Sequence, residues 1–97
     1  MKLSTAEKAK KLLKLFGPRG GCWTQDTMGL TKSGKYTTAT DKNAVRWCLI
    51  GGCKKLKFSH KFLNKELERR ELRPDAIAFN DSNPFTAVRK FLKELTA

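Results

Sequence analysis

Cys22, Cys48, Cys53 and His60 are the side chains in this sequence best suited to metal binding or nucleophilic chemistry. Together they could form a Cys₃His zinc site, but no two cysteines are spaced as Cys-x₂-Cys, and Cys48 and Cys53 lie about 500° apart around a helix. Cys48 could also act as a nucleophile if a base or a helix N-terminus lowered its pKa. We predict Cys48 to lie about two turns into a helix, on its apolar face, which favours a buried core thiol. We therefore expect no metal site, no cofactor and no catalytic residue, and thus a protein that is not an enzyme.

The neighbouring polar residues Asn80 and Asp81 are a second candidate site. A short polar pair between helices usually satisfies backbone groups as a cap or a turn. Asp81 could also form a partly buried ion pair with Arg46. The sequence contains no P-loop, dinucleotide-binding fingerprint or catalytic triad. The residues that we interpret as structural are Trp23, Arg46, Trp47, Cys48, Asn80 and Asp81.

The net charge of +12 is the strongest compositional feature. Residues 1–19 carry six Lys or Arg against one acid, and residues 44–72 carry eight against three. Such an excess is typical of a polyanionic partner, which can be nucleic acid, an anionic membrane surface or an acidic protein. The clustering favours nucleic acid or a nucleoprotein. The predicted contact residues are Lys54, Lys55, Lys57, Lys61, Lys65 and Arg69, with Lys8, Lys11 and Lys14 on the first helix.

The pattern gives little support for sequence-specific recognition. Residues 44–70 could form a helix-turn-helix, but its outward side chains would be mostly Lys and Glu, which are poor readers of bases. Glu66, Glu68 and Glu71 would also repel the phosphate backbone. Tyr36 is the one plausible exposed stacking group. We therefore expect binding driven by charge or shape.

The first element that the sequence predicts is a basic amphipathic helix over about residues 5–16. Ser4 and Glu7 form a capping box, and Gly17 ends the helix. Its apolar stripe is best explained by packing on the rest of the core. The same stripe could also bind a membrane surface or a groove of a partner protein.

A β-hairpin is predicted over about residues 22–40. Residues 22–28 and 36–40 have β-favouring composition, and residues 32–35 form a turn signal. A two-stranded hairpin is only marginally stable alone, so it must pack on a helix. Trp23 is the natural anchor for that packing.

Residues 42–56 carry apolar side chains at helical spacing, which predicts a central helix with Asp41 as its N-cap. Gly51 and Gly52 are costly inside a helix, at about 1 kcal/mol each. Either another backbone crosses the helix closely there, or the helix breaks. We favour the close crossing, because the small residue Cys48 lies one turn before Gly52 on the same face.

Further helices are predicted over about residues 60–71 and 84–96. Ser59 is the expected N-cap of the first and Asn83 of the second, and residues 75–79 should form at most one helical turn. Ninety-seven residues make a single domain over 1–97. The expected fold is α+β and mostly helical: an N-terminal helix, a β-hairpin, a central helix and two further helices around it.

The order of three motifs resembles a family of small phage and bacterial proteins catalogued as a domain of unknown function. The motifs are Trp23-Thr24-Gln25, then Arg46-Trp47-Cys48-x-x-Gly51, then Phe79-Asn80-Asp81. The resemblance covers roughly residues 5–95. It implies a fold and a phage or bacterial origin but no established activity. This chain departs from the family pattern by having Gly51-Gly52 in place of Gly-Ala.

Lysines interrupt the apolar positions near the N-terminus, which is not typical of a secretory signal, and no stretch is apolar enough to span a membrane. We expect a protein of the bacterial host cytosol with no membrane partner. Two functions remain open from the sequence. The first is a phage-encoded accessory protein that binds nucleic acid or nucleoprotein, and the alternative is an inhibitor that docks on a host defence or transcription protein. The pattern leaves the oligomeric state open.

Overall fold

Five helices and a small antiparallel sheet make up residues 3–72 and 75–97, the part of the chain that this computed structural model describes. The fold is therefore α+β and mostly helical. In chain order the elements are α1 (Thr5–Phe16), β1 (Gly29–Thr31), β2 (Tyr36–Thr37), β3 (Ala44–Arg46), α2 (Leu49–Lys55), α3 (Lys61–Arg69), α4 (Ala76–Ser82) and α5 (Phe85–Leu95).

Helix α1 begins with the predicted capping box. The Ser4 hydroxyl accepts a hydrogen bond from the Glu7 backbone N–H at 3.1 Å, and the Glu7 carboxylate accepts from the Ser4 N–H at 2.9 Å. The apolar stripe of α1 is buried, and its most extensive packing is against α5, at the other end of the chain, with a further contact to α2. This confirms that the stripe belongs to the core.

The sheet has the strand order β2-β1-β3, so the predicted hairpin gains a third strand. The turn over residues 32–35 is confirmed, since the Thr31 N–H donates to the Lys35 carbonyl at 2.9 Å. A strand over residues 22–28 is wrong, because only Trp23 forms a bridge there. Asp26 has a φ of 67°, which interrupts the extended backbone. The side chains of Trp23 and Gln25 hydrogen-bond to Asn80 and Asn83, far along the chain.

The predicted helix over residues 42–56 is wrong in its first half. Residues 44–46 form β3, and α2 begins only after Cys48, whose extended backbone and side chain make it the N-cap. Asp41 instead accepts hydrogen bonds from the Asn43 N–H and the Thr37 hydroxyl. Pairing of this segment with β1 and with Trp23 overrides the helical periodicity of its apolar residues.

The two glycines of α2 confirm the predicted close crossing. A Cβ atom on Gly51 would lie 1.9 Å from the Met28 carbonyl oxygen, so the chain leading into β1 runs directly against the helix. A Cβ on Gly52 would lie 2.9 Å from the Leu12 side chain of α1. Helix α2 is buried from Leu49 to Cys53 and occupies the middle of the core.

The C-terminal elements depart from prediction at their boundaries. Residues 76–82 form a seven-residue helix, α4, rather than a single turn. Asn83 does not cap α5; its amide donates to the Phe79 carbonyl at 2.9 Å and closes α4, while Pro84 takes the N-cap position. The Ser59 hydroxyl accepts from the Lys61 N–H at 3.2 Å, although His60 is the residue at the N-cap of α3. None of the helices within the described ranges has the length and apolarity to cross a lipid bilayer.

Candidate nucleic-acid interface

Helices α1 and α3 meet at a contact between a lysine and an aromatic ring. The Lys8 ammonium lies over the Phe62 ring, 5.0 Å from its centroid. Lys11 is exposed on α1, and Lys61 and Lys65 are exposed on α3. The contact brings Lys8 of α1 onto α3, and we call Lys8 and Lys11 of α1 with Lys61 and Lys65 of α3 the α1–α3 face.

Lys54 and Lys55 turn toward the sheet. Lys54 lines a hollow of about 490 Å³ together with residues 37–40. The Lys55 ammonium lies 5.7 Å from the centroid of the Trp47 ring, and the Trp47 indole N–H donates to the Ala39 carbonyl at 2.9 Å. Lys57 is exposed in the connection to α3, with a φ of 67°.

Lys14 belongs to a third group. It lines a small hollow of about 220 Å³ with Arg89 and Lys93 of α5. The C-terminal end of α1 and helix α5 therefore form a common basic surface, and α5 was not among the predicted contact segments. The predicted contact residues therefore do not all lie together, since Lys14 lies with α5 whereas Lys54 and Lys55 lie by the sheet. The spacing of residues along the chain could not indicate this division, because it depends on how α1 crosses α5.

Arg69 is engaged by an acid on its own helix. Its guanidinium lies 3.1 Å from the Glu66 carboxylate, and Arg70 contacts the same carboxylate at 2.6 Å. The Arg70 hydrogen bond, with Arg69, holds the pKa of Glu66 below its ordinary range despite its partial burial. Glu66 therefore neutralises part of the positive charge at the end of α3, although the Arg69 side chain itself stays 73% exposed.

Arg46 is placed differently from the prediction. It is exposed on β3, and Asp81 accepts hydrogen bonds from the Asp26 N–H at 2.9 Å and the Asn80 amide at 3.0 Å. Leu30 of β1 pairs directly with Arg46 on one side and with Tyr36 of β2 on the other. The sequence did not reveal this row, because the strand pairings that create it are not local.

Asn80 is the centre of a buried hydrogen-bond network. Its side-chain oxygen accepts from the Trp23 indole N–H at 2.7 Å and from the Leu49 backbone N–H at 3.0 Å. Its amide donates to the Thr24 carbonyl and to Asp81, both at 3.0 Å. Both lone pairs and both protons of the amide are thus used. The network ties the loop before β1 to the start of α2 and to α4, which agrees with a structural role.

Gln25 extends this network to the end of α4. Its amide donates to the backbone carbonyls of Asn80 at 3.1 Å and of Asn83 at 2.9 Å. The motif beginning at Trp23 and the motif ending at Asp81 are therefore joined by three side chains. The sequence singled out both motifs but gave no distance between them.

Cys48 borders a cavity of about 190 Å³ that Asp81 and Ile77 also line. Its sulfur accepts from the Gly51 N–H at 3.3 Å. Burial raises the pKa of the Cys48 thiol, the nearby Asp81 charge raises it further, and the Gly51 N–H opposes both effects only in part. Burial also raises the pKa of Cys53 to about 12. These environments stabilise protonated thiols at neutral pH.

Within residues 3–72 and 75–97, no three His, Cys, Asp or Glu side chains are grouped so that they could hold a metal ion. Comparisons with known proteins add no functional assignment: no family model, no curated protein and no solved structure matches this chain significantly. The resemblance to phage and bacterial proteins stays a prediction.

Proposed function

We propose that this protein is a small, basic, non-enzymatic accessory protein, encoded by a phage, that binds nucleic acid or a nucleoprotein in the bacterial cytosol. The observation that carries the proposal is the Lys8–Phe62 contact, which brings Lys8 of α1 onto α3, the helix that bears the exposed Lys61 and Lys65. Ammonium groups side by side bind phosphates by releasing counterions, so the affinity depends steeply on salt.

Two acids of α1 and α3 are already engaged, which leaves the exposed Glu68 as the acid at helical spacing from Lys61 and Lys65. The acid nearest the start of α1, Glu7, is occupied in its capping box, and Glu66 is occupied by Arg69 and Arg70. Lys11, Lys61 and Lys65 are exposed, so their ammonium groups can reach a ligand without rearrangement of the core. Lysines act as point charges and carry little base information, which favours duplex binding without sequence preference.

The test is the salt dependence of binding to duplex DNA and duplex RNA. The double variant Lys61→Gln, Lys65→Gln should lower the slope of log K against log salt by about two, one for each lost phosphate contact. The matched control, Lys14→Gln with Lys93→Gln, removes the same charge from the other basic group. Equal losses in both double variants would indicate attraction to net charge alone and would contradict a defined face. Salt-insensitive binding of the unmodified protein would contradict the proposal as a whole.

The alternative function is an inhibitor that docks on a host protein, and one surface feature favours it. A groove of about 590 Å³ lies between α4 and α5, with Phe79 and Phe91 among its lining and Leu72 beside them, 48% exposed. A pull-down from nuclease-treated bacterial lysate separates the two functions. A stoichiometric protein that survives nuclease and is released by Leu72→Glu supports the inhibitor, whereas a partner lost on nuclease treatment supports the accessory protein.

A further inference from the structure

The outer face of the three-stranded sheet carries an aromatic ring and a guanidinium in one row. Tyr36, Leu30 and Arg46 stand opposite one another on β2, β1 and β3, so their side chains share one face. Tyr36 is 68% exposed and Arg46 is exposed. Leu30 is only partly exposed but is not among the apolar residues of the described chain that pack on the core. The row therefore faces solvent.

A β-bulge in β3 produces this arrangement. Leu30 pairs with Arg46, but the next residue of β1, Thr31, pairs with Ala44, so Val45 is the extra residue. In a regular strand Ala44 and Arg46 would point the same way. The bulge instead leaves Ala44 buried and directs Arg46 to the same face of the sheet as Tyr36. β-Bulges are over-represented next to active sites, where they re-aim a side chain.

The end of the sheet where the hairpin turns is positively charged. Lys32, Lys35 and Lys42 line a shallow groove of about 480 Å³ there. Asp41 is the single acid between residues 27 and 46, and hydrogen bonds from Thr37 and Asn43 occupy its carboxylate and lower its pKa. The charge of this end of the molecule thus complements a polyanion.

We propose that this sheet face binds single-stranded nucleic acid, with an unpaired base stacked on Tyr36, Arg46 beside it, and the neighbouring phosphates on Lys32, Lys35 and Lys42. An exposed aromatic ring on a sheet suits unpaired bases, since each base offers a flat π surface, whereas bases in a duplex are already stacked. The Tyr36 ring takes part in no aromatic pair within the described residues and is free to accept a base. The inference goes beyond the proposed duplex contact, because it assigns a second surface to single strands.

The experiment measures binding of short oligothymidylate and oligouridylate, about 10 nucleotides long, and of an abasic strand of equal charge. Tyr36→Ala should weaken binding of both base-carrying strands by about 5- to 30-fold, and should leave the abasic strand unaffected. Tyr36→Phe keeps the ring and should bind as the unmodified protein does. Ile77→Ala, which truncates another exposed apolar side chain (55% exposed), is the matched control and should change nothing.

An unchanged affinity of Tyr36→Ala, or an equal loss on the abasic strand, would overturn the inference. Comparing oligothymidylate with oligouridylate decides whether DNA or RNA is preferred. Duplex binding is measured alongside and should not respond to Tyr36→Ala, so failure of this inference and failure of the α1–α3 face give different results. Because the Tyr36 side chain is largely exposed, its truncation should leave the urea midpoint unchanged, and this measurement verifies folding.

Discussion

The indole N–H of Trp23 donates a 2.7 Å hydrogen bond to the side-chain oxygen of Asn80, 57 residues further along the chain. The same oxygen also accepts the Leu49 N–H at the start of α2. One buried amide therefore fixes the position of three segments that are far apart in sequence. The stability of the fold should depend on it more than on any charged pair at the surface.

Asn80→Ala should strongly destabilise the protein. It leaves the Trp23 N–H, the Leu49 N–H and the Thr24 carbonyl without their partner, and unsatisfied buried groups cost about 1–3 kcal/mol each. We expect the free energy of unfolding, measured in urea, to fall by about 3 kcal/mol or more. Asn43→Ala, at an exposed asparagine, should change it by less than about 0.5 kcal/mol. A loss below about 1 kcal/mol for Asn80→Ala would contradict the central role of this amide.

Gly51→Ala should be destabilising through a steric clash. The added methyl would lie 1.9 Å from the Met28 carbonyl oxygen, a backbone atom that cannot move without shifting the entry to β1. We expect the free energy of unfolding to fall by about 2 kcal/mol or more. Gly21→Ala is the matched control, because nothing lies within 4 Å of its added methyl, and it should be close to neutral. Equal stability of the two variants in urea would contradict the close packing of Met28 against Gly51.

The ion pairs of Glu66 should contribute to the free energy of unfolding, and this contribution should be lost at acid pH. The pKa of Glu66 is lowered in the folded state by Arg70 and Arg69, so the stabilisation is complete above the ordinary carboxyl pKa and is lost as the pH falls through the folded value. Glu66→Gln should therefore reduce the loss of stability between about pH 5 and pH 3. The effect should stay below about 1 kcal/mol, because solvent reaches the pair. Glu68→Gln, at an exposed acid of the same helix, is the control, and an identical pH profile for both variants would rule out the Glu66 contribution.

The three thiols should differ in reactivity. Cys22 is half-buried, whereas Cys48 and Cys53 are buried and their pKa values are raised. At about pH 7.5 iodoacetamide should therefore modify Cys22 first, since the thiolate is the reactive form. Cys48 and Cys53 should react only after unfolding in urea, which mass spectrometry of the modified peptides can follow. Modification of Cys48 in the folded protein at a rate above that of Cys22 would indicate an activated thiol and would revive an enzymatic hypothesis.

Local signals in the sequence predicted the elements that depend on local interactions. The structure confirms the capping box of Ser4 and Glu7 and the turn over residues 32–35. Both could be predicted because each involves groups no more than four residues apart. The close crossing at Gly51 was also predicted, since a pair of glycines inside a helix is costly unless space requires them.

Interactions between distant residues account for what the sequence did not predict. The segment 44–47 has helical spacing of apolar residues, yet it is extended because β1 and Trp23 pair with it. Asn80 was assigned a structural role, but its partners Trp23 and Leu49 lie 57 and 31 residues away. The row of Tyr36, Leu30 and Arg46 exists only once three strands and a bulge are in register. Periodicity along the chain carries no information on such pairings.

The packing of α1 on α5 has a consequence for how the protein is made. Helix α1 is synthesised before every other element described here, whereas its main partner, α5, follows all of them. Until then the nascent chain exposes Ala9, Leu12 and Phe16, which are fully buried in the finished domain. The core closes only when α5 has emerged, so synthesis of residues 5–95 precedes cooperative folding of this domain.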